Sequence, residues 1–158
     1  MENLGQSEAA MMVLPQGLTT TTLDDNLSIT YSIEQPYYGD ASVELELSPT
    51  LDTYGRGGIR LGIAVDDKPA EIVSFDLHAT GGAQRTPEEK AWANAVINNK
   101  YTLKWVAENL TPGTHELTIY RIDDNIVLEK LHIRYSQKTK PDTKSAVSRF
   151  FDKLFGDV

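Results

Sequence analysis

The stretch LSITYSIE places Leu27, Ile29, Tyr31 and Ile33 on one side of an extended chain and Ser28, Thr30 and Ser32 on the other. Successive side chains of a strand point to opposite faces, so a two-residue period of this kind suits a strand with one face buried and one face wet. The period returns in SVELELSP, with Val43, Leu45 and Leu47 inward against Glu44 and Glu46, closed by Pro49. It returns again in YTLKWVAEN, where Leu103 and Trp105 oppose Thr102 and Lys104. Short apolar runs at Met11 to Leu14, Ile59 to Val65 and EIVSFDL (71–77) add strands, and Asp66, Asp67 and Lys68 turn the chain before Pro69. Many short strands separated by turn residues predict a mainly β fold, an antiparallel β-sandwich or jelly roll.

Two segments break the pattern. TPEEKAWANAVINN offers Thr86 as N-cap, Pro87 at the first helical position and Glu89 three residues after the cap, which predicts one inserted helix of about three turns. Trp92, Ala95 and Val96 fall at helical spacing and are expected to anchor it to a sheet. TPGTHELTIYRIDDNIVLEKLHIR, Thr111 to Arg134, reads as a β-hairpin turned at Asp123, Asp124 and Asn125. Its second arm is apolar at Ile126, Val127, Leu128, Leu131 and Ile133, which predicts a strand covered on both faces. After it comes a polar linker, and then KSAVSRFFDKLF, with Val147, Phe150, Phe151, Leu154 and Phe155 on one helical stripe. The expected organisation is a β-sandwich domain over 1–135, a linker over 136–144 and a C-terminal amphipathic helix over 145–158.

Charge and composition narrow the partners. The chain of 158 residues carries a net charge of −8, which argues against nucleic acid, whose phosphates select clustered Lys and Arg. From Gln137 onward five basic residues meet three acidic ones, so the tail alone is +2 (5 − 3). That stripe could dock on a protein partner or a membrane surface, the only membrane contact the sequence suggests, or pack back on the sandwich. There is no cysteine, so disulfides and thiolate metal sites are excluded. No basic-then-apolar leader opens the sequence, and no run approaches the roughly 18 apolar residues of a spanning helix. A cytoplasmic location is expected if the chain is complete as given, and an extracellular or periplasmic one if it is excised from a secreted glycosidase.

Chemistry is sparse. Asp24-Asp25, Asp66-Asp67 and Asp123-Asp124 sit at predicted turns, where Asp bonds local backbone, rather than as a hydrolytic carboxylate pair. His78, His115 and His132 are scattered without zinc spacing, and no GxSxG elbow or phosphate-loop motif occurs. No catalytic residue, metal site or cofactor is expected; a structural calcium on loop oxygens is weighed and ranked below a metal-free domain. Sugar binding needs exposed aromatic faces beside polar groups, and Tyr37 and Tyr38 in EQPYYGD and Tyr54 in TYGRGG are aromatics of that kind. Arg56 and Arg60 could pair with a uronate carboxylate. Trp92 and Trp105 read as core.

Four stretches in order, ENLGQSEAAMMVLP, ELELSPTLDTYGRGGIRLGIAVDD, WANAVINN and PGTHELTIYRIDDNIVLEKLHI, resemble the C-terminal β-sandwich domain of glycoside hydrolase family 115, the xylan α-glucuronidases. The resemblance spans about residues 2 to 134. It implies a carbohydrate-binding-module-like sandwich that supports an enzyme or binds plant-type polysaccharide, with a glycoside hydrolase catalytic domain as partner and homodimerisation as an option. The catalytic residues of that family have no matching positions here, and the tail from Ser136 has no counterpart. A structural or assembly module docking through the C-terminal stripe is the alternative.

Overall fold

A computed structural model describes residues 10–12, 23, 27–52, 55, 57–77 and 86–141. Among the described residues eight strands and one helix follow in the order β1 (Met11–Met12), β2 (Ser28–Gln35), β3 (Gly39–Leu47), β4 (Ile59–Val65), β5 (Glu71–Phe75), α1 (Pro87–Ile97), β6 (Tyr101–Leu110), β7 (Gly113–Arg121) and β8 (Val127–Gln137). They form two antiparallel four-stranded sheets, β1-β8-β3-β6 and β2-β7-β4-β5. The expected antiparallel sandwich with one inserted helix is therefore what forms. Among the described residues no helix is long and apolar enough to cross a membrane.

The period-two strands bury the side the alternation assigns. Val43, Leu45 and Leu47 from one sheet meet Ile33, Leu61, Ile63 and Leu117 from the other in a single core. Burying each such side chain fully contributes roughly 1.5–3 kcal/mol relative to leaving it in water. Glu44 and Glu46 point outward, where Arg134, Lys104 and Lys100 meet them. β4 and β5 form the hairpin turned at Asp66, whose φ of 54° is the left-handed geometry that an aspartate tolerates in turns.

Thr111 to Arg134 is not a hairpin. β7 lies between β2 and β4, whereas β8 lies in the opposite sheet between β1 and β3. Each arm brings its own apolar face, and placing the arms in opposite sheets lets the two faces close on one core from both sides. Ile122 to Ile126 is the corner between sheets, with Ile122, Asp123 and Asp124 all buried.

The doubled apolar pattern of the second arm also has another cause. Leu47 pairs with Leu128 and Glu46 with Lys130, so Glu129 is an extra residue, a β-bulge. The bulge resets the phase, and Leu128 and Leu131, three apart, both face the core. Lys130, His132 and Arg134 stay exposed. The arm is thus interior in the sheet order but wet on its outer face, not covered on both.

Gly39 opens β3 where β8 comes closest: a Cβ there would lie 1.9 Å from the Ser136 carbonyl oxygen, so only glycine fits without a backbone shift. β8 runs past the expected sandwich boundary to Gln137, and the next residue stays tied down. The Lys138 N–H donates to the Tyr38 carbonyl at 2.9 Å. Residues 142–158, which hold the predicted C-terminal helix, lie outside the described residues.

The helix starts as its sequence predicts. The Glu89 N–H donates to Thr86 Oγ1 at 3.3 Å, and the Thr86 N–H donates to Glu89 Oε2 at 2.9 Å, a closed capping box. Ala91, Trp92 and Ala95 pack on the core, but Val96 is 49% exposed and does not join the anchoring face. Trp92 and Ala95 hold α1 down without it.

Candidate functional site

The tyrosine and arginine candidates do not converge. Tyr37 and Tyr38 lie in the β2–β3 turn, half-buried, at the end of the sandwich where β8 finishes. The Tyr37 hydroxyl donates to the Tyr135 carbonyl at 3.1 Å, and the Tyr38 hydroxyl to Asn109 Oδ1 at 3.3 Å. Arg60 is the second residue of β4, at the opposite end. β3 alone separates the two ends by roughly 25 Å, at about 3.3 Å per residue. Tyr54, Arg56, Val147, Phe150, Phe151, Leu154 and Phe155 lie outside the described residues, as do Asp24, Asp25 and His78.

Arg60 is engaged within the protein. Its Nε and a terminal nitrogen donate to the two Asp123 carboxylate oxygens at 2.9 Å each, and its backbone N–H donates to the same carboxylate at 2.8 Å. The aspartate hydrogen bond and charge raise the guanidinium pKa further. Next to it the Arg121 guanidinium donates to Asp124, both groups buried. Asp123 and Asp124 therefore do more than the local backbone bonding the turn reading assigns: each holds an arginine at the sheet-crossing corner.

At the other end Asp66 and His115 form a second fixed pair. Asp66 Oδ1 accepts from the Glu116 N–H at 2.9 Å, and Oδ2 lies 2.7 Å from His115 Nδ1. His115 Nε2 lies 2.8 Å from the Thr111 carbonyl. A carboxylate and a carbonyl only accept, so the arrangement favours the imidazolium form, with a proton on each ring nitrogen. The Asp66 hydrogen bond and the Thr111 carbonyl push the His115 pKa up. In that form the ring has no lone pair for general-base work. Among the described residues no three His or acidic side chains gather as metal ligands do.

Open chemistry lies instead along an edge of the sandwich. A groove of about 280 Å³ opens between the edge strand β6 and the β4–β5 hairpin, lined by Lys68, Pro69, Glu71, Trp105, Val106 and Glu108. The alternation of β6 turns Trp105 inward, opposite Val43 in register, but β6 ends its sheet and the ring is only partly covered. Its Nε1–H donates to Glu71 Oε2 at 3.0 Å, across the gap between the two sheets. Lys68 Nζ donates to the Glu108 carbonyl at 3.4 Å, bracing the hairpin on β6. An indole, an exposed carboxylate and an exposed ammonium around one groove supply a stacking surface with a hydrogen-bond acceptor and donor, the chemistry a sugar ring uses.

Trp105 packs against the core, as its reading expects, but is only partly buried there. Its inward phase is legible from the alternation, whereas the opening beside it depends on β6 being an edge strand.

Three comparisons bear on this arrangement. The family model described as Glycosyl hydrolase family 115 C-terminal domain matches residues 1–142. A search of curated protein sequences finds no match. Among solved structures, a family GH115 4-O-methyl-α-glucuronidase with specificity for decorated arabinogalactans superposes with a TM-score of 0.62 at 17% identity, over 87% of this chain and 15% of that one. A family 35 carbohydrate-binding module from an environmental isolate gives 0.47 at 15% identity, over 84% of this chain and 91% of that one. A family 35 module from Clostridium thermocellum gives 0.45 at 15% identity, over 80% and 88%. At these identities the glucuronidase likeness shows the fold, and the chain spans only about a seventh of that enzyme.

Proposed function

The chain belongs to the glycosyl hydrolase family 115 C-terminal domains, and from that premise we propose that it is a non-catalytic accessory module of an α-glucuronidase-type enzyme, holding plant-type polysaccharide. The observation that carries this reading is the extent of the family match: residues 1–142 take in every described strand and α1. The Trp105 groove is the surface we assign to a sugar ring, with the indole packing on the ring and Glu71 and Lys68 addressing its hydroxyls.

Two measurements test it. Titration calorimetry of the chain with xylan-derived oligosaccharides is expected to give saturable heat at millimolar ligand; a folded sample that gives none overturns polysaccharide binding. Incubation of the purified chain with glucuronoxylan is expected to release no uronic acid, and turnover overturns the accessory reading. A site at the groove also predicts that Trp105 fluorescence responds in a Trp92→Phe background, where it is the single remaining indole.

A second reading rests on the tail, whose apolar stripe and +2 charge contrast with a chain of −8. Here the module docks on a protein partner or a membrane surface through Val147, Phe150, Phe151, Leu154 and Phe155. Truncation after Pro141 keeps the Lys138 contacts with the β2–β3 turn and separates the two readings. Under the first, oligosaccharide binding survives the cut; under the second, association with partner or liposomes is lost.

A further inference from the structure

The Trp105 groove ends between two turns, and His115 lies between them. One lip of the groove is the β4–β5 turn, which supplies Lys68 and Pro69. The other is the last stretch of β6, which supplies Val106 and Glu108 before the chain turns through Thr111 into β7. β6 ends one sheet and the β4–β5 hairpin belongs to the other, so no ladder among the described strands joins the lips.

Two side chains span them instead. Lys68 Nζ donates to the Glu108 carbonyl at 3.4 Å, a long bond from the end of a flexible stem. His115 is the stiffer link: Nδ1 lies 2.7 Å from Asp66 Oδ2 on the first lip, and Nε2 lies 2.8 Å from the Thr111 carbonyl beyond the second. Asp66 is itself fixed to β7, since its N–H donates to the Glu116 carbonyl at 2.8 Å and its Oδ1 accepts from the Glu116 N–H. The first lip is therefore anchored whatever the ring does. Thr111, Pro112 and Gly113 are exposed.

The link is complete in one protonation state only. An imidazolium has a proton for each acceptor, whereas a neutral imidazole has one. The charged Asp66 carboxylate makes the stronger hydrogen bond and keeps that proton. The Nε2 lone pair then faces the Thr111 carbonyl oxygen, acceptor against acceptor, and the exposed turn is the softer side to move. In the β4–β5 turn Lys68 opposes the charge on the ring and Asp66 favours it, while Asp67 is exposed. From β2, Ile33 stands opposite His115, and Glu34 bonds Thr114. Glu116, next on β7, is exposed, and Glu108 of β6 acts on Lys138.

We propose that His115 is a proton-operated latch on the Trp105 groove: protonated, it bolts the β6–β7 turn to the β4–β5 turn and holds the groove at its observed width; neutral, it releases the β6 lip. The consequence for a ligand, that a sugar ring is held more tightly when the latch is protonated, rests on the groove reading above. The movement itself needs no ligand.

The test uses the full chain carrying Trp92→Phe, in which Trp105 is the single indole. Its emission is followed from about pH 5.5, above the ordinary carboxylate range, to about pH 9, beside an NMR titration of the His115 ring. One step in emission is expected, with a midpoint above 6.5 that coincides with the ring titration. His115→Gln is expected to abolish it. Asp66→Asn removes the charge that retains the proton and is expected to move the step to lower pH, which keeps the test decisive if His115→Gln does not fold. His132→Gln, on the other sheet, is expected to leave the step in place. By calorimetry an unsubstituted xylo-oligosaccharide is expected to bind severalfold more weakly at about pH 9 than at about pH 6.

A flat emission across the range overturns the latch. So does a step that survives His115→Gln, ignores Asp66→Asn or departs from the ring titration. A step that follows His115 without any oligosaccharide heat supports the latch and overturns the sugar reading, whereas heat without a step leaves the sugar reading standing and overturns the latch.

Discussion

The two ends of the sandwich solve the same problem, tying loops to strands with charge, in opposite ways. At the sheet-crossing corner the Arg121 and Asp124 side chains are 4% and 2% exposed, and Asp123 pairs bidentately with Arg60. At the other end Asp66 is 41% exposed beside a nearly buried His115, and Tyr38, Asn109, Asp40 and Lys138 form a network open to solvent. Buried charges have no water to fall back on when a partner is lost, whereas exposed ones recover most of their solvation. One end is therefore a structural clamp, and the other tolerates change.

The largest effect is expected from Asp124→Ala, which leaves the Arg121 guanidinium buried without that carboxylate. A loss of about 3 kcal/mol in urea unfolding is expected. Asp123→Ala comes next. It removes a bidentate partner and the acceptor of the Arg60 backbone N–H, but Arg60 is 36% exposed and water makes good part of the loss, so about 2 kcal/mol is expected. If both variants unfold at the wild-type midpoint, the contrast between the ends is wrong.

What was legible in the sequence follows the same divide between local and distant causes. Strand phase at Val43, Leu45 and Leu47 and the capping box at Thr86 and Glu89 are set by neighbours within a few residues, and both are as read. The hairpin reading of Thr111 to Arg134 fails because nearness in sequence does not say which sheet receives the second arm. A bulge at Glu129 imitates two-sided burial, since one inserted residue shifts the phase just as a second apolar face would. Asp123 meets Arg60 from 63 residues away, so turn chemistry alone could not reveal it. Tyr37 and Arg60 share a chemistry that suits sugars but not a place. Trp105 is the reverse, placed correctly on its strand while its edge position, which opens the groove, is a property of the assembled sheets.

At the exposed end the effect is smaller and depends on pH. The His115 pKa is raised in the folded protein above its ordinary 6.5, so its contribution is complete below about 6.5 and is lost as pH rises through the folded value. For Asp66 burial works to raise the pKa, but the His115 hydrogen bond, the Glu116 N–H and the His115 charge together hold it below 3.8. Its contribution is present above 3.8 and lost as pH falls through the folded value. The pair therefore stabilises most between about 3.8 and 6.5. His115→Gln is expected to lose up to about 1 kcal/mol in that window, limited by the exposure of Asp66, and progressively less at alkaline pH. Thermal melts of wild type and variant across pH 4 to 9 check this, and a constant offset would show that His115 acts by packing alone.

The smallest effect is expected on the outer face of β3, where Glu46 meets Lys100 at 2.8 Å, and its smallness is informative. Glu46 has a lowered pKa because Lys100 hydrogen-bonds it, with the Lys100, His132 and Lys130 charges adding to the same effect against the cost of burial. All three bases reach into solvent, so Glu46→Gln should cost no more than about 0.5 kcal/mol, and nothing near 1 M salt, where charges are screened within about 3 Å. Urea unfolding at low and high salt measures both. A loss comparable with that of Asp123→Ala would mean that these exposed pairs hold the sheet together as firmly as the buried corner does. A loss within the expected limit means that the exposed charges of this sheet add little to stability, and that burial, not the number of ion pairs, separates the clamp from the rest.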